Sequence, residues 1–239
     1  MDDSQLPPEA AARPQAQRVA RRWPLVSGIV AVLLAVTLGA IAAARVGEFG
    51  FDAEWMSEVA EDRGPGLDSL SYLMNALGGN LLGIFVVPTL ITVVLLLIKR
   101  PWAATYFLAA TLASAGLVQL LKKSFGRERP EEILVNTDFG SFPSGHVANA
   151  ATMAVILGII FPRLWVWLAG AAYVALMMFS RTYLGAHWLS DTIGGVLLGA
   201  GVAIAVWAPF AAKLSGERER ALRHPSSPSA REIDGEIPQ

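Results

Sequence analysis

Two histidines, one aspartate and three bases are spaced along the chain so that together they could handle a phosphate. His146 closes the turn Pro143-Ser144-Gly145-His146. Pro143 bars regular helix before it, and Ser144 is a good N-cap for a helix over 147–160. A Ser-Gly turn at a helix start presents free backbone N–H groups and the positive end of the helix dipole, which is an anion site. An imidazole in that field can move a proton near neutral pH. His187 and Asp191 are spaced i, i+4, so a helix that has begun by His187 projects both from one face. A carboxylate on one imidazole nitrogen fixes the tautomer and leaves the other nitrogen free as a nucleophile. Alone, this pair fits a helix-terminal histidine beside a cap-region aspartate. Joined to His146 and to Lys122, Arg129 and Arg181, it points to phosphate chemistry. The two arginines suit planar, bidentate phosphate contacts and the lysine a point contact. No carboxylate cluster has metal-ligand spacing, so a metal-assisted phosphatase is not expected, and no cofactor is expected. The third histidine, His224, lies in a charged tail and reads as solvated.

The elements that must position these residues are membrane helices. Of 239 residues, 54% are hydrophobic and 16% charged, too apolar for a soluble domain of this length, and the apolar residues are clumped. The absence of cysteine removes disulfides and thiolate chemistry, and a net charge of −1 gives no reason to expect nucleic acid as a partner. A bilayer core needs about 20 apolar residues per spanning helix. Six stretches qualify or nearly so: 25–44, 81–98, 102–121, 147–161, 164–179 and 188–212. The expected fold is an all-α, six-helix integral membrane bundle over 25–212. Disordered cytoplasmic tails are expected over 1–24 and 213–239. The first span reads as an uncleaved anchor, with Ala42-Ala43-Ala44 the competing signal-peptidase site.

Between the first two spans, residues 45–79 form an acidic outer segment with seven acids (Asp52 among them) against two bases. Residues 67–77 show helical spacing of Leu67, Leu70, Leu73, Met74 and Leu77. They predict an amphipathic helix on the membrane or the bundle, with no chemical role. Bases concentrate in both tails and in the turns at 99–101 and 162–163, which makes those segments cytoplasmic. The polar loops 122–146 and 180–187 then face outward, and their own bases run against that rule. An anionic ligand explains them. Lys123 and Arg127, in the same loop, read as solvated or headgroup-facing. In the last span Gly194, Gly195, Gly199 and Gly201 allow close helix contact.

Lys122-x6-Arg129-Pro130, Pro143-Ser144-Gly145-His146 and Ser180-Arg181-x5-His187-x3-Asp191 together resemble the three-part signature of the type 2 phosphatidic acid phosphatase (PAP2) superfamily. That family includes membrane lipid phosphatases, and its soluble relatives include bacterial acid phosphatases and vanadium haloperoxidases. The resemblance covers about residues 70–212, with every motif position matched and in order. It implies that His187 attacks phosphorus to form a phosphohistidine, that Asp191 orients His187, and that His146 protonates the leaving oxygen and later activates water. It implies that Lys122, Arg129, Arg181, Ser144 and the Gly145 N–H hold the phosphoryl oxygens, with no metal. The expected activity is hydrolysis of a lipid phosphate or diphosphate at the outer face of the cytoplasmic membrane. The candidate substrates are a polyprenyl diphosphate such as undecaprenyl diphosphate, phosphatidylglycerophosphate or phosphatidic acid. A lipid phosphotransferase and a non-catalytic lipid-binding or transport protein on the same fold are the alternatives. Both would use the same bases, and only catalysis needs the two histidines with Asp191.

Overall fold

The computed structural model describes residues 8–79 and 81–223, with side chains from Arg22 to Ala221. Among these residues every regular element is a helix: α1 (Pro8–Ala44), α2 (Gly50–Glu61), α3 (Pro65–Gly78), α4 (Val87–Leu97), α5 (Pro101–Phe125), α6 (Gly145–Ile160), α7 (Leu164–Tyr183) and α8 (Leu189–Arg223). A π-helical turn, Leu82–Val86, leads into α4. Stretches within α1, α5, α7 and α8 are long and apolar enough to cross a membrane, and α3 with the 82–97 helix forms a pair bent by 47°. The remaining apolar helix, α6, has 16 residues, about 24 Å at 1.5 Å per residue, shorter than a bilayer core. It is the most enclosed helix, with no exposed residue along its length.

The centre of the bundle is the α5–α6–α8 contact. Tyr106, Phe107, Met153, Ile156 and Ala203 pack there, and the Tyr106 hydroxyl donates to the Ala203 carbonyl at 2.9 Å. The α8 glycines permit the approach. A Cβ at Gly199 would lie 2.2 Å from the Ala148 carbonyl oxygen, and one at Gly195 would lie 2.8 Å from that of Ser144. In a membrane, where apolar burial gives helices little reason to associate, such backbone-to-backbone packing holds them together. Outward, Leu33 and Leu34 of α1, Leu90 and Leu97 of α4, and Leu164 and Leu168 of α7 are exposed apolar side chains.

Helices run past the apolar stretches that announced them, because a backbone that stops bonding to itself near lipid leaves N–H and C=O groups unsatisfied. Thus α5 includes Lys122 and α7 includes Ser180 and Arg181. The expected tail from 213 onward is corrected as far as Arg223. There α8 continues, and buried Glu217 accepts hydrogen bonds from the Trp102 and Ala103 N–H groups, capping the start of α5. Residues 224–239, with His224, lie outside the described residues. So do residues 1–7 of the expected N-terminal tail, the rest of which is helical from Pro8.

Candidate active site

The signature residues come from four helix ends and the α5–α6 loop at one end of the bundle. Lys122 lies in the last turn of α5. Gly126 then closes that helix in the left-handed region (φ 57°), its N–H bonding to the Lys122 carbonyl at 3.0 Å. Glycine takes this conformation without a Cβ clash, and it redirects the chain so that Arg127 and Arg129 turn back over the bundle. The loop returns to α6 through Phe142, which is fully buried against Phe125 and over Gly39 and Gly194. The Ser144 N–H then donates to the Asp191 carbonyl at 3.0 Å. That bond ties the start of α6 to the start of α8, 47 residues further along the chain.

Helix α6 begins at Gly145 with Ser144 at its N-cap position, but the serine side chain makes no capping bond. Its hydroxyl is buried with no partner. The first N–H groups of α6 have no intrahelical acceptors by geometry. His187 lies just before α8, not on it, so the i, i+4 relation survives as proximity: Nδ1 is 3.6 Å from Asp191 Oδ2. Its Nε2 is 3.4 Å from Arg129 Nη1. His146 Nε2 is 3.3 Å from the Asn75 carbonyl oxygen, and the Asn75 side-chain oxygen accepts from Arg181 Nη1. The end of α3 therefore roofs the site. A Cβ at Gly79 would lie 2.1 Å from His146 Nε2, so only glycine leaves room for the ring. The helix expected to have no chemical role thus brings Asn75 onto two signature residues.

Arg127 overturns its expected solvated position. It is buried and bridges two carboxylates that have 0% exposure. Nη1 lies 2.5 Å from Asp191 Oδ1 and Nη2 lies 2.9 Å from Asp52 Oδ2. Asp52, brought in by α2, also accepts from the Ser190 N–H at 2.8 Å and the Ser190 hydroxyl at 2.6 Å. Asp191 Oδ2 accepts from the Ser141 hydroxyl and from the Trp188 N–H. Charge-assisted bonds of this kind, each partner fully satisfied, hold a buried carboxylate in one orientation. Position in sequence gave no hint of it, since Asp52 is one of seven acids in the outer segment and Arg127 one of several loop bases. Lys123, by contrast, is exposed.

The local charge is cationic. Burial, with Lys122, Arg129, Arg181 and His146 nearby, holds the His187 imidazole well below its usual range, so the ring is neutral at pH 7. Arg129 is pushed down by burial, against the pull of Asp138 and Asp191. For Asp138, burial pushes up, but Lys122 and Arg129 outweigh it and hold the carboxyl below the ordinary value. Among the described residues, no three His, Cys, Asp or Glu side chains gather as metal ligands. A cavity of about 500 Å³ lined by Asn75, Ile133, Leu134, Val135, Asn136 and His146 opens beside the site.

A profile of the PAP2 superfamily matches residues 103–214, which contain all eight signature positions. Residues 103–214 belong to the PAP2 superfamily. With its long apolar helices, the chain is a multi-pass membrane protein. The chain is 44% identical over 64 residues to an undecaprenyl-diphosphatase of Sulfolobus acidocaldarius, covering 27% of this chain and 30% of that protein. It is 31% identical over 111 residues to a lipid A 1-phosphatase of Rhizobium johnstonii, covering 41% and 44%. The matches thus span less than half the length of these curated relatives. The PAP2 fold extends further than the sequence matches. The crystal structure of a transmembrane PAP2-type phosphatidylglycerolphosphate phosphatase from Bacillus subtilis superposes with TM-score 0.66 at 24% identity, covering 81% of this chain and 96% of that one.

Proposed function

We propose that the protein hydrolyses a terminal phosphate or diphosphate on a membrane lipid through a phosphohistidine, without a metal. The observation that carries this is a set of unused donors. Of eight buried side-chain polar atoms without a partner among the described residues, three are on signature residues and free to meet a phosphate: Ser144 Oγ, Arg129 Nε and Arg181 Nε. Buried donors normally have acceptors, and an oxyanion with several oxygens would serve these. His187 Nδ1 faces Asp191, so Nε2 is the attacking atom. Its lone pair forms a bond to phosphorus while the bond from phosphorus to the lipid oxygen breaks. His146 gives its proton to that oxygen. Water then attacks phosphorus, passing a proton to His146 as the phosphorus–nitrogen bond breaks, and inorganic phosphate leaves. Lys122, Arg129, Arg181, Ser144 and the Gly145 N–H meet the charge spread over the equatorial oxygens.

Purified protein in EDTA is expected to release inorganic phosphate from lipid substrates. A panel pairing a polyprenyl diphosphate with phosphatidylglycerophosphate and phosphatidic acid would rank the tails. The match to an undecaprenyl-diphosphatase favours testing the diphosphate first. Release from none of them would overturn the reading.

The placement of the bases supports a site on the extracytoplasmic side, with the tails cytoplasmic. Asn136 is exposed on the loop beside the site. An Asn136→Cys variant, in a chain that otherwise has no cysteine, is expected to react with a membrane-impermeant thiol reagent on intact cells. Labelling only after lysis would reverse the topology.

A further inference from the structure

The phosphate cradle already holds an anion from its own chain. Lys122 Nζ lies 3.0 Å from Asp138 Oδ1, and Arg129 Nη2 lies 2.8 Å from the same oxygen. Both bases also donate to the neighbouring Gly140 carbonyl, at 2.9 Å and 2.8 Å. Two of the three signature bases are thus engaged by one short piece of the α5–α6 loop.

The two carboxylate arrangements at this end of the bundle differ in one physical respect. Asp52 and Asp191, held by Arg127, have no exposure, so they can leave only by unfolding the region. The Asp138 side chain is 56% exposed, while its partners Lys122 and Arg129 are 3% and 9% exposed. Rotation of Asp138 into water restores its solvation and breaks no packed contact. The bases it leaves behind stay buried, and they then require another anion. A single carboxylate also fills the cradle incompletely. Arg129 Nε and Ser144 Oγ remain without partners while Asp138 is bound. A phosphate offers more oxygens and more charge to the same donors.

We propose that Asp138 is an internal occupant of the phosphate site, displaced from Lys122 and Arg129 by the substrate's phosphate and returning to them when inorganic phosphate leaves. This rests on the phosphatase reading above. The exchange is one of ion-pair partners, with no covalent step. It lets the empty site keep its buried cations paired, and it lowers the affinity for substrate and product alike. A cradle of three bases would otherwise hold its product tightly. Asn75 plays the lesser part for Arg181, as a neutral acceptor.

The test is inhibition by inorganic phosphate. Asp138→Asn keeps the shape and removes the charge, and Asp138→Ala removes the side chain. Both are expected to be inhibited about tenfold more tightly than wild type, a difference of about 1.4 kcal/mol, with KM falling in the same direction. Calorimetric binding of phosphate in the His187→Ala background reads the same change without turnover. Unchanged or weaker phosphate binding in the Asp138 variants overturns the proposal and makes Asp138 a support for the bases. Failure of the phosphatase reading looks different: wild type would bind no phosphate, and Lys122→Ala would change nothing.

Discussion

His187→Ala is expected to lower phosphate release by about 10⁴–10⁶-fold, the scale on which removing a covalent nucleophile acts. The loss should be the same for every substrate, because the attacking atom is gone whatever the leaving group. His146→Ala is expected to behave otherwise. Its role is to protonate the leaving oxygen, and a substrate such as an aryl phosphate has a leaving group that departs without a proton. The His146 variant should therefore lose about 10²–10⁴-fold on a lipid phosphate and markedly less on the aryl ester, while the His187 variant loses equally on both. The contrast separates nucleophile from acid without relying on either absolute rate. Retained binding of inorganic phosphate by His187→Ala shows that the cradle is still assembled, since Lys122, Arg129 and Arg181 come from elements that do not depend on the ring. Wild-type activity in His187→Ala would remove the phosphohistidine mechanism. The neutral state of His187, set first by burial and then by the surrounding bases, is what keeps Nε2 available to attack at pH 7.

Arg127→Ala is expected to be among the most damaging changes outside the signature, costing about 3–5 kcal/mol of stability. The physical reason is that it leaves two carboxylates, Asp52 and Asp191, buried at 0% exposure with no cation between them. Thermal unfolding in detergent reads this directly. Arg127→Lys should recover only part of the loss, since one ammonium cannot present the planar fork that reaches both carboxylates. Asp52→Asn is the gentler probe. It keeps a side-chain oxygen for the Ser190 N–H and removes one charge. It is expected to lower kcat by loosening Asp191 while leaving phosphate affinity near wild type, because it touches none of the cradle bases. An Arg127→Ala variant with unaltered melting and activity would restore the solvated-base reading of that residue. The Asp52–Arg127–Asp191 chain also explains why the outer segment is needed: α2 clamps the start of α8, where the site is built.

Much of this protein is legible in its sequence, and for a physical reason. A bilayer demands long apolar runs, so the spanning stretches show in composition. Polar residues that interrupt such runs carry a cost, so Lys122, Arg129, Ser144, Gly145, His146, Arg181, His187 and Asp191 stand out at helix ends. Their types are the types phosphate chemistry uses, and the PAP2 pattern follows from their order. The positive-inside pattern and the glycines of α8 are local signals of the same kind.

What only the tertiary structure decided concerns partners far apart in the chain. Nothing distinguishes Asp52 from the other outer acids until α2 packs on α8 and sets it against Ser190, 138 residues away. Arg127 looks like a loop base until Gly126 turns it inward. Asn75 sits on an ordinary amphipathic helix until the 47° bend lays its end over His146. Asp138 is one more loop acid until the loop folds back onto Lys122 and Arg129. Helical spacing encodes neighbours within a turn or two, whereas a buried ion pair is chosen by the packing of whole helices. The sequence therefore names the groups that would meet the phosphate, and the fold alone determines what holds them in place and what fills the cradle between turnovers.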